Sequence, residues 1–471
     1  METKGKKALI IGLARSGVGA ANLLSMSGAD VTVTDRKPEG ELTDYTRQLS
    51  PSVKLCLGNY PKSLNGTDLI VVSPGVPLTI EPLARALEKG IKIMGELELA
   101  YQMIRSTFKN RSLKSPGFLA VTGTNGKSTT TMLLDLMIRK GGFKTLLGGN
   151  IGNALTEEIL KMVGGRLPTV DYVVAEVSSF QLESIDEFRP AGATVLNITP
   201  DHLDRYHSLA DYTDAKCRIF ENQGKDDFLV LNADDPMTSE IAKRIGRQGG
   251  KGKEMPGIYY FSRKHQVKGA YVANGTVYFD LPDVPSSFVL HPSSFRIKGV
   301  HNLENAMAAA AMALLAGCPP SSVEGALHEF PGLEHRLEFV RELGGVKYIN
   351  DSKGTNVGAV IKSLEGFLEP IVLIAGGRDK AGDFTALRPL IKEKVKALVL
   401  IGEASAKLRD ALGDLTETVF ASDLREAVMK AERSAGSGDV VLLSPACASF
   451  DMFMDFEDRG RQFKKIVAGL S

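Results

Sequence analysis

VTGTNGKSTTT, Val121 to Thr131, is the stretch whose reading decides the fold. Apolar residues, Phe118 to Val121, lead into it, and a helical pattern follows Lys127. A strand that bends at glycines and resumes as a helix aims backbone N–H groups and the positive helix end at one spot. Gly123 and Gly126 permit the bend, Lys127 can neutralise phosphate charge, and Ser128 can hold Mg²⁺. ATP is the expected ligand. The usual GxxxxGK[ST] spacing would need glycine where this chain has Val121, so a plain glycine-rich turn is the competing reading.

Working outward, short apolar runs alternate with helical periods on both sides. ALIIGL (8–13), VTVTD (31–35) and LIVVSPG (69–75) form a first set. FLAVTGT (118–124), YVVAEVSSF (172–180), ATVLNIT (193–199) and FLVLNADD (228–235) form a second, and VKYIND, PIVLIAGG, KALVLIG, TVFAS and DVVLLSPA a third. This rhythm predicts parallel sheets covered by helices, an α/β fold. Between the second and third sets, residues 257–299 read as short strands, with Asn274-Gly275 marking a hairpin, and a helix rich in Ala and Leu starts near Asn302. The basic stretch Arg105 to Gly117 reads as a linker, and a turn at Pro331 to Leu333 opens the third set.

At roughly 150 residues per domain, 471 residues suggest about three domains. The expected boundaries are 1–106, 107–332 and 333–471. Lys plus Arg number 57 against 56 for Asp plus Glu, so the net charge of +1 gives no global attraction to nucleic acid or an anionic membrane. Cys56, Cys217, Cys318 and Cys447 have no metal or disulfide spacing, which fits a reducing cytoplasm. The apolar run after the basic Met1 to Lys7 is too short for a signal peptide, and Ala306 to Ala316 is too short to span a bilayer. The 48 glycines exceed ordinary usage and point to many tight turns.

Other motifs carry weaker chemistry. IIGLARSGVG resembles a dinucleotide fingerprint, but Ala14 replaces the second glycine; Asp35, at the end of the next strand, can meet a ribose or base. A nicotinamide-dependent dehydrogenase is the reading this motif alone would support, and it leaves the phosphate loop unexplained. Glu176 sits in apolar surroundings that make an ion costly unless it is paired or meets a metal. His202 follows a strand, and Lys216 lies fourteen residues on in a helical pattern. Together they suggest a hard-cation site, although a structural histidine is the more common use of His202. A non-enzymatic ATP-binding regulator would not need Glu176, His202 and Lys216 together.

VTGTNGKST, GGNIG (148–152), EVSSFQLE (176–183), TPDHLDRY (199–206), HNLENAMAA (301–309), HR (335–336), NDSKGTN (350–356), GGRDK (376–380) and SPACASFDMFMDFEDRG (444–460) together resemble the Mur ligase family, in order and over nearly the whole chain. The resemblance implies Rossmann-like N- and C-terminal domains around a central P-loop ATPase-like domain with a small β region. It implies an ATP-dependent ligase of the cytoplasm, expected as a monomer, that joins D-glutamate to UDP-N-acetylmuramoyl-L-alanine through an acyl phosphate. Sister ligases adding another amino acid, or glutamyl units to folate, are the alternatives; NDSKGTN, which supplies Lys353, separates them.

By the same resemblance Lys127, Glu176, His202 and Lys216 are catalytic. Ser128 and Glu176 would serve one Mg²⁺, His202 and a carbamylated Lys216 a second. ATP would be held by Gly123, Thr124, Asn125, Gly126, Lys127, Ser128, Thr129, Asn302, Asn305, Arg336 and Asp351, the last on ribose hydroxyls. Leu13, Arg15, Ser16, Asp35, Arg36, Ser73, Gly75 and Asn150 would take the UDP-substrate, and Lys353, Thr355, Lys380, Ser449 and Phe456 the D-glutamate. Arg378 and Asp379 receive no role.

Overall fold

The computed structural model describes residues 1–110, 115–164, 170–203, 205–249 and 254–470. Three sheets follow one another along the chain. The first has strands β1 (Lys7–Ile11), β2 (Asp30–Asp35), β3 (Lys54–Leu57), β4 (Leu69–Val72) and β5 (Lys92–Gly95). They are all parallel in the order 3-2-1-4-5. Strand order reverses between β1 and β4, which leaves a crevice beyond their carboxyl ends, the usual ligand position in such sheets.

The second sheet contains β6 (Gly117–Thr122), β7 (Thr145–Gly149), β8 (Tyr172–Glu176), β9 (Gly192–Val195), β10 (Phe228–Asn232), β11 (Gly257–Ser262), β12 (Gly269–Ala273), β13 (Thr276–Phe279) and β14 (Val289–Leu290). Their order is 14-13-12-11-10-9-6-8-7. The run from β7 to β12 is parallel; β13 and β14 add antiparallel strands through the hairpin at Asn274-Gly275, both in left-handed backbone. The third sheet holds β15 (Glu338–Leu343), β16 (Val346–Asn350), β17 (Ile371–Gly376), β18 (Val395–Ile401), β19 (Glu417–Phe420) and β20 (Val440–Leu443), ordered 15-16-20-17-18-19, with only β15 antiparallel. Among the described residues, no helix is long and apolar enough to cross a membrane.

The alternating runs became strands because their β-branched and aliphatic side chains are buried on both faces, as parallel sheets require. The alanine-rich helix runs Val300–Leu315, and Ala306 to Ala311 and Ala313 are fully buried beside the helix Lys127–Lys140. Small side chains allow that close approach.

The stretch read as a linker begins inside a helix: Glu96–Asn110 continues past Arg105, while residues 111–114 lie outside the described set. That helix fastens the first domain to the second. Glu98, fully buried, accepts the backbone N–H groups of Asp186, Glu187 and Phe188 at 2.8–3.0 Å, and Glu96 accepts both N–H and hydroxyl of Thr156. Tyr101, Phe118 and Phe188 pack edge to face beneath them. Such contacts were invisible to local pattern because each pairs residues far apart in sequence.

In the third domain Arg459 is wholly buried and joins two loops. It donates to the hydroxyl and carbonyl of Ser352 at 2.9 Å and to the Cys447 carbonyl at 3.3–3.4 Å. Burial lowers its pKa to about 10. Arg459→Met leaves those oxygens buried without donors, so we expect a loss of about 3 kcal/mol of stability in the third domain, read as a lower urea midpoint. A change below about 1 kcal/mol would show that the loops hold without it.

Candidate functional site

The phosphate loop is built as its composition requires. Gly123 (φ 149) and Gly126 (φ 86) occupy backbone regions that side chains avoid, and Gly126 caps the helix Lys127–Lys140. A Cβ at Gly126 would strike the Asn305 side-chain oxygen. Asn305 also accepts from Thr130 at 3.3 Å, so the alanine-rich helix braces the loop from behind. The missing glycine at Val121 has no structural consequence: Val121 is the buried penultimate residue of β6.

Two lysines converge on one oxygen of this loop. Lys127 Nζ and Lys216 Nζ both donate to the Gly123 carbonyl at 2.9 Å, and Lys127 also reaches Thr124 O at 2.8 Å. Lys216, on the helix Leu209–Cys217, is 1% exposed and lies 4.5 Å over the Tyr212 ring. Burial, then repulsion from Lys127, drives the Lys216 pKa well below an ordinary lysine value. Burial lowers Lys127 as well, against the pull of Glu176 and Asp201.

Glu176 ends β8 and is 2% exposed. One carboxylate oxygen accepts from Asn150 at 2.7 Å; the other is buried with no hydrogen-bond partner. A lone buried carboxylate oxygen beside a phosphate loop is the position a hard cation would fill. His202, in left-handed backbone (φ 55), stands with its ring against Phe180 and Tyr212 and its Nε2 3.7 Å from Asp201.

The third domain meets this loop directly. Lys353 Nζ donates to Ser128 Oγ at 2.7 Å and lies 5.0 Å from the Phe456 ring centre; burial lowers its pKa to about 8. Lys380 and Asn356 both reach Asp201, at 3.7 and 3.1 Å. Burial pushes the Asp201 carboxyl up, but Lys380, His202 and Lys127 outweigh it and hold the pKa below the usual carboxylate value. Thr355 lies in the turn beyond Lys353, and the buried Ser449 lies on the facing loop that Arg459 ties to Ser352. Of the five residues expected at D-glutamate, Lys353 and Phe456 are thus in contact, while Lys380 is held at the domain junction.

Between the second and third domains a cavity is lined by Asn125, Gly126, Asn305, Arg336, Asp351 and Lys353. Arg336 has a buried Nε without a partner. Asp351, expected to face ribose hydroxyls, has one oxygen filled by Ser363 and Ser444 hydroxyls, each at 2.7 Å, and the other 3.3 Å from Leu337 N. It therefore shapes the wall in this state. Asn302 is the 3.5 Å neighbour of Asn305, and Thr129 is buried behind the loop.

A second cavity lies at the strand-order reversal of the first sheet. It gathers Leu13, Arg15, Ser16, Asp35, Ser73 and Gly75 from the first domain and Asn150 from the second. Asp35 accepts from Leu13 N at 2.7 Å and Ser73 Oγ bonds Gly12 O at 2.8 Å. Arg15 reaches Gly152 O across the domains at 3.3 Å. Arg36 is exposed and does not line this cavity.

Asp201 and Arg205 were missed as individual residues, although both stand in TPDHLDRY; nothing local marks which of its charged residues crosses a domain boundary. Arg378 pairs with Glu403 and Asp379 with Lys407, so both serve their own domain. Among the described residues, the close His and carboxylate group is Glu334, His335 and Glu338, but Lys464 already bridges its two acids at 2.7 Å.

Three family descriptions match successive stretches: the N-terminal domain of MurD-like Mur ligases over residues 6–95, the Mur ligase middle domain over 121–313, and the Mur ligase glutamate ligase domain over 335–447. The chain is 47% identical to UDP-N-acetylmuramoylalanine–D-glutamate ligase of Geotalea daltonii, across 100% of this chain and 99% of that one. It is 43% identical to the ligase of the same name from Thermoanaerobacter pseudethanolicus, with both chains covered in full. Solved structures sharing the fold include a pseudomurein peptide ligase type C from Methanothermus fervidus (19% identity, TM-score 0.61, 99% of this chain and 100% of that). Another is MurF ligase from Thermotoga maritima in complex with ADP (16% identity, TM-score 0.60, 99% of this chain and 98% of that).

Gly126→Ala combines a strained backbone with the Asn305 collision. It should weaken nucleotide binding by at least roughly tenfold, about 1.4 kcal/mol, measured by calorimetry with ADP. Unchanged affinity would mean that the loop does not need this conformation.

Proposed function

The chain belongs to the Mur ligase family, and we propose that it joins D-glutamate to UDP-N-acetylmuramoyl-L-alanine, converting ATP to ADP and phosphate, in peptidoglycan precursor synthesis. The end-to-end 47% identity to a ligase named for those substrates carries this reading.

A carboxylate resists attack by an amine until one of its oxygens becomes a leaving group. ATP supplies that change by transferring its γ-phosphoryl group to the substrate carboxylate; the glutamate amine then attacks the acyl carbon and phosphate leaves. Both first reactants are anions, so their approach demands concentrated positive charge and fixed geometry. Lys127, at the loop, and Arg336, on the opposite wall, are suited to the phosphates. We assign the nucleotide to the cavity between the second and third domains and the UDP moiety to the cavity of the first. Asn150 would lie where the two meet, since it lines the second cavity and bonds Glu176.

Mg²⁺ fits the unpartnered oxygen of Glu176 together with the Ser128 hydroxyl; when bound it would draw charge from phosphate oxygens. Lys353 currently holds Ser128 and would be released toward the glutamate carboxylates. His202 and Lys216 suit a second ion only if Lys216 is an anion. Its desolvated amine, beside a second lysine, is the form that reacts with carbon dioxide to give a carbamate and a proton. Excluding water from this junction would protect an acyl phosphate from hydrolysis. We read the protein as a cytoplasmic monomer.

Phosphate release should be fastest with D-glutamate when compared with L-glutamate, L-alanine and diaminopimelate in the presence of ATP, Mg²⁺ and UDP-N-acetylmuramoyl-L-alanine. Another amino acid as the best substrate would overturn the assignment. Lys216→Ala should lose activity by about a hundredfold or more, and a short carboxylic acid should restore part of it. Full activity in the unrescued variant would remove the carbamate.

A further inference from the structure

Arg205 is used by none of the steps above, yet it makes four contacts, two of them across the boundary to the first domain. Its Nη1 donates to Pro74 O at 3.2 Å, and its Nη2 reaches Val76 O at 3.5 Å. Those carbonyls belong to the loop Ser73–Val76, which walls the cavity of the first domain. Nη2 also donates to Glu183 Oε2 at 2.6 Å, while Tyr206 takes the other oxygen at 2.5 Å. The guanidinium carbon lies 4.3 Å from the Phe180 ring centre, and the Phe180 and His202 rings pack edge to face with their centres 4.8 Å apart.

We propose that Arg205 is a positioning residue that sets the UDP-pocket wall at a fixed place relative to His202. The proposal rests on reading that cavity as the UDP site. Only a guanidinium offers several donors in one rigid plane together with a flat face for an aromatic ring. Lysine can keep the pairing with Glu183 but has neither the planar fork that reaches Pro74, Val76 and Glu183 together nor the flat face that lies on Phe180. The domains are already fastened elsewhere by Glu96 and Glu98. Arg205 grips the pocket wall instead, and Phe180 carries the contact onward to His202. A substrate held at one end by that wall must deliver its carboxylate to the phosphate loop at the other. A shift of the wall by about 1 Å would move the reacting carboxylate out of line and lower the rate.

The test uses Arg205→Met and Arg205→Lys in the full-length enzyme. UDP binding is followed by calorimetry, and steady-state kinetics are run with each substrate varied in turn. In Arg205→Met we expect the KM for UDP-N-acetylmuramoyl-L-alanine to rise roughly tenfold and kcat to fall, with the KM for ATP within about twofold. Arg205→Lys should recover part of both losses. Thermal melting reports the folded fraction, and if the methionine variant does not fold, the KM of the lysine variant decides. Wild-type affinity for UDP and unchanged KM values, with kcat falling only in step with folded protein, would overturn the proposal alone. No UDP binding by the wild-type enzyme would overturn the pocket reading and the proposal together.

Discussion

Positive charge withdrawn from water is the constraint on which this molecule is organised. Lys127, Lys216, Lys353 and Arg336 converge from two domains, and burial lowers the pKa of each. Desolvated cations at close quarters repel one another, and the nearby Glu176 and Asp201 offset only part of that cost. The site is therefore electrostatically unfinished in the free protein. On the proposed function, incoming polyphosphate and carboxylate would supply the missing anions, and the same unfavourable burial would become affinity for them.

The rest of the fold follows from holding those groups in place. The alanine-rich helix braces the glycine loop through Asn305, and β8 delivers Glu176 beside it. The helix Glu96–Asn110 fixes the first domain to the second through buried carboxylates, which leaves the contacts of Lys353, Lys380 and Asn356 as the polar bridge to the third. A net charge of +1 for the whole chain says nothing of this, because the cations act within one cavity.

Much of this was legible in the sequence. Strands buried on both faces announce themselves as β-branched runs, and the Asn274-Gly275 hairpin, the phosphate loop and the alanine-rich helix all formed where composition put them. Local signals fail where an interaction is long-range. Residues Arg105 to Asn110 looked like linker because their helix is stabilised by packing against Phe118 and Phe188, not by its own pattern. No local pattern announces the contact of Lys353 with Ser128, a residue 225 positions away. Asp201 and Arg205 were inside a quoted motif, but only the fold reveals that each reaches into another domain.

On the proposed function, these cations bring a carboxylate and a terminal phosphate into reaction with each other. The most direct measurement labels the carboxylate oxygens of UDP-N-acetylmuramoyl-L-alanine with heavy oxygen and follows the label through one turnover with ATP and D-glutamate. Transfer of one labelled oxygen into the released phosphate is the result predicted. Unlabelled phosphate, with the label shared between product and water, would contradict the account.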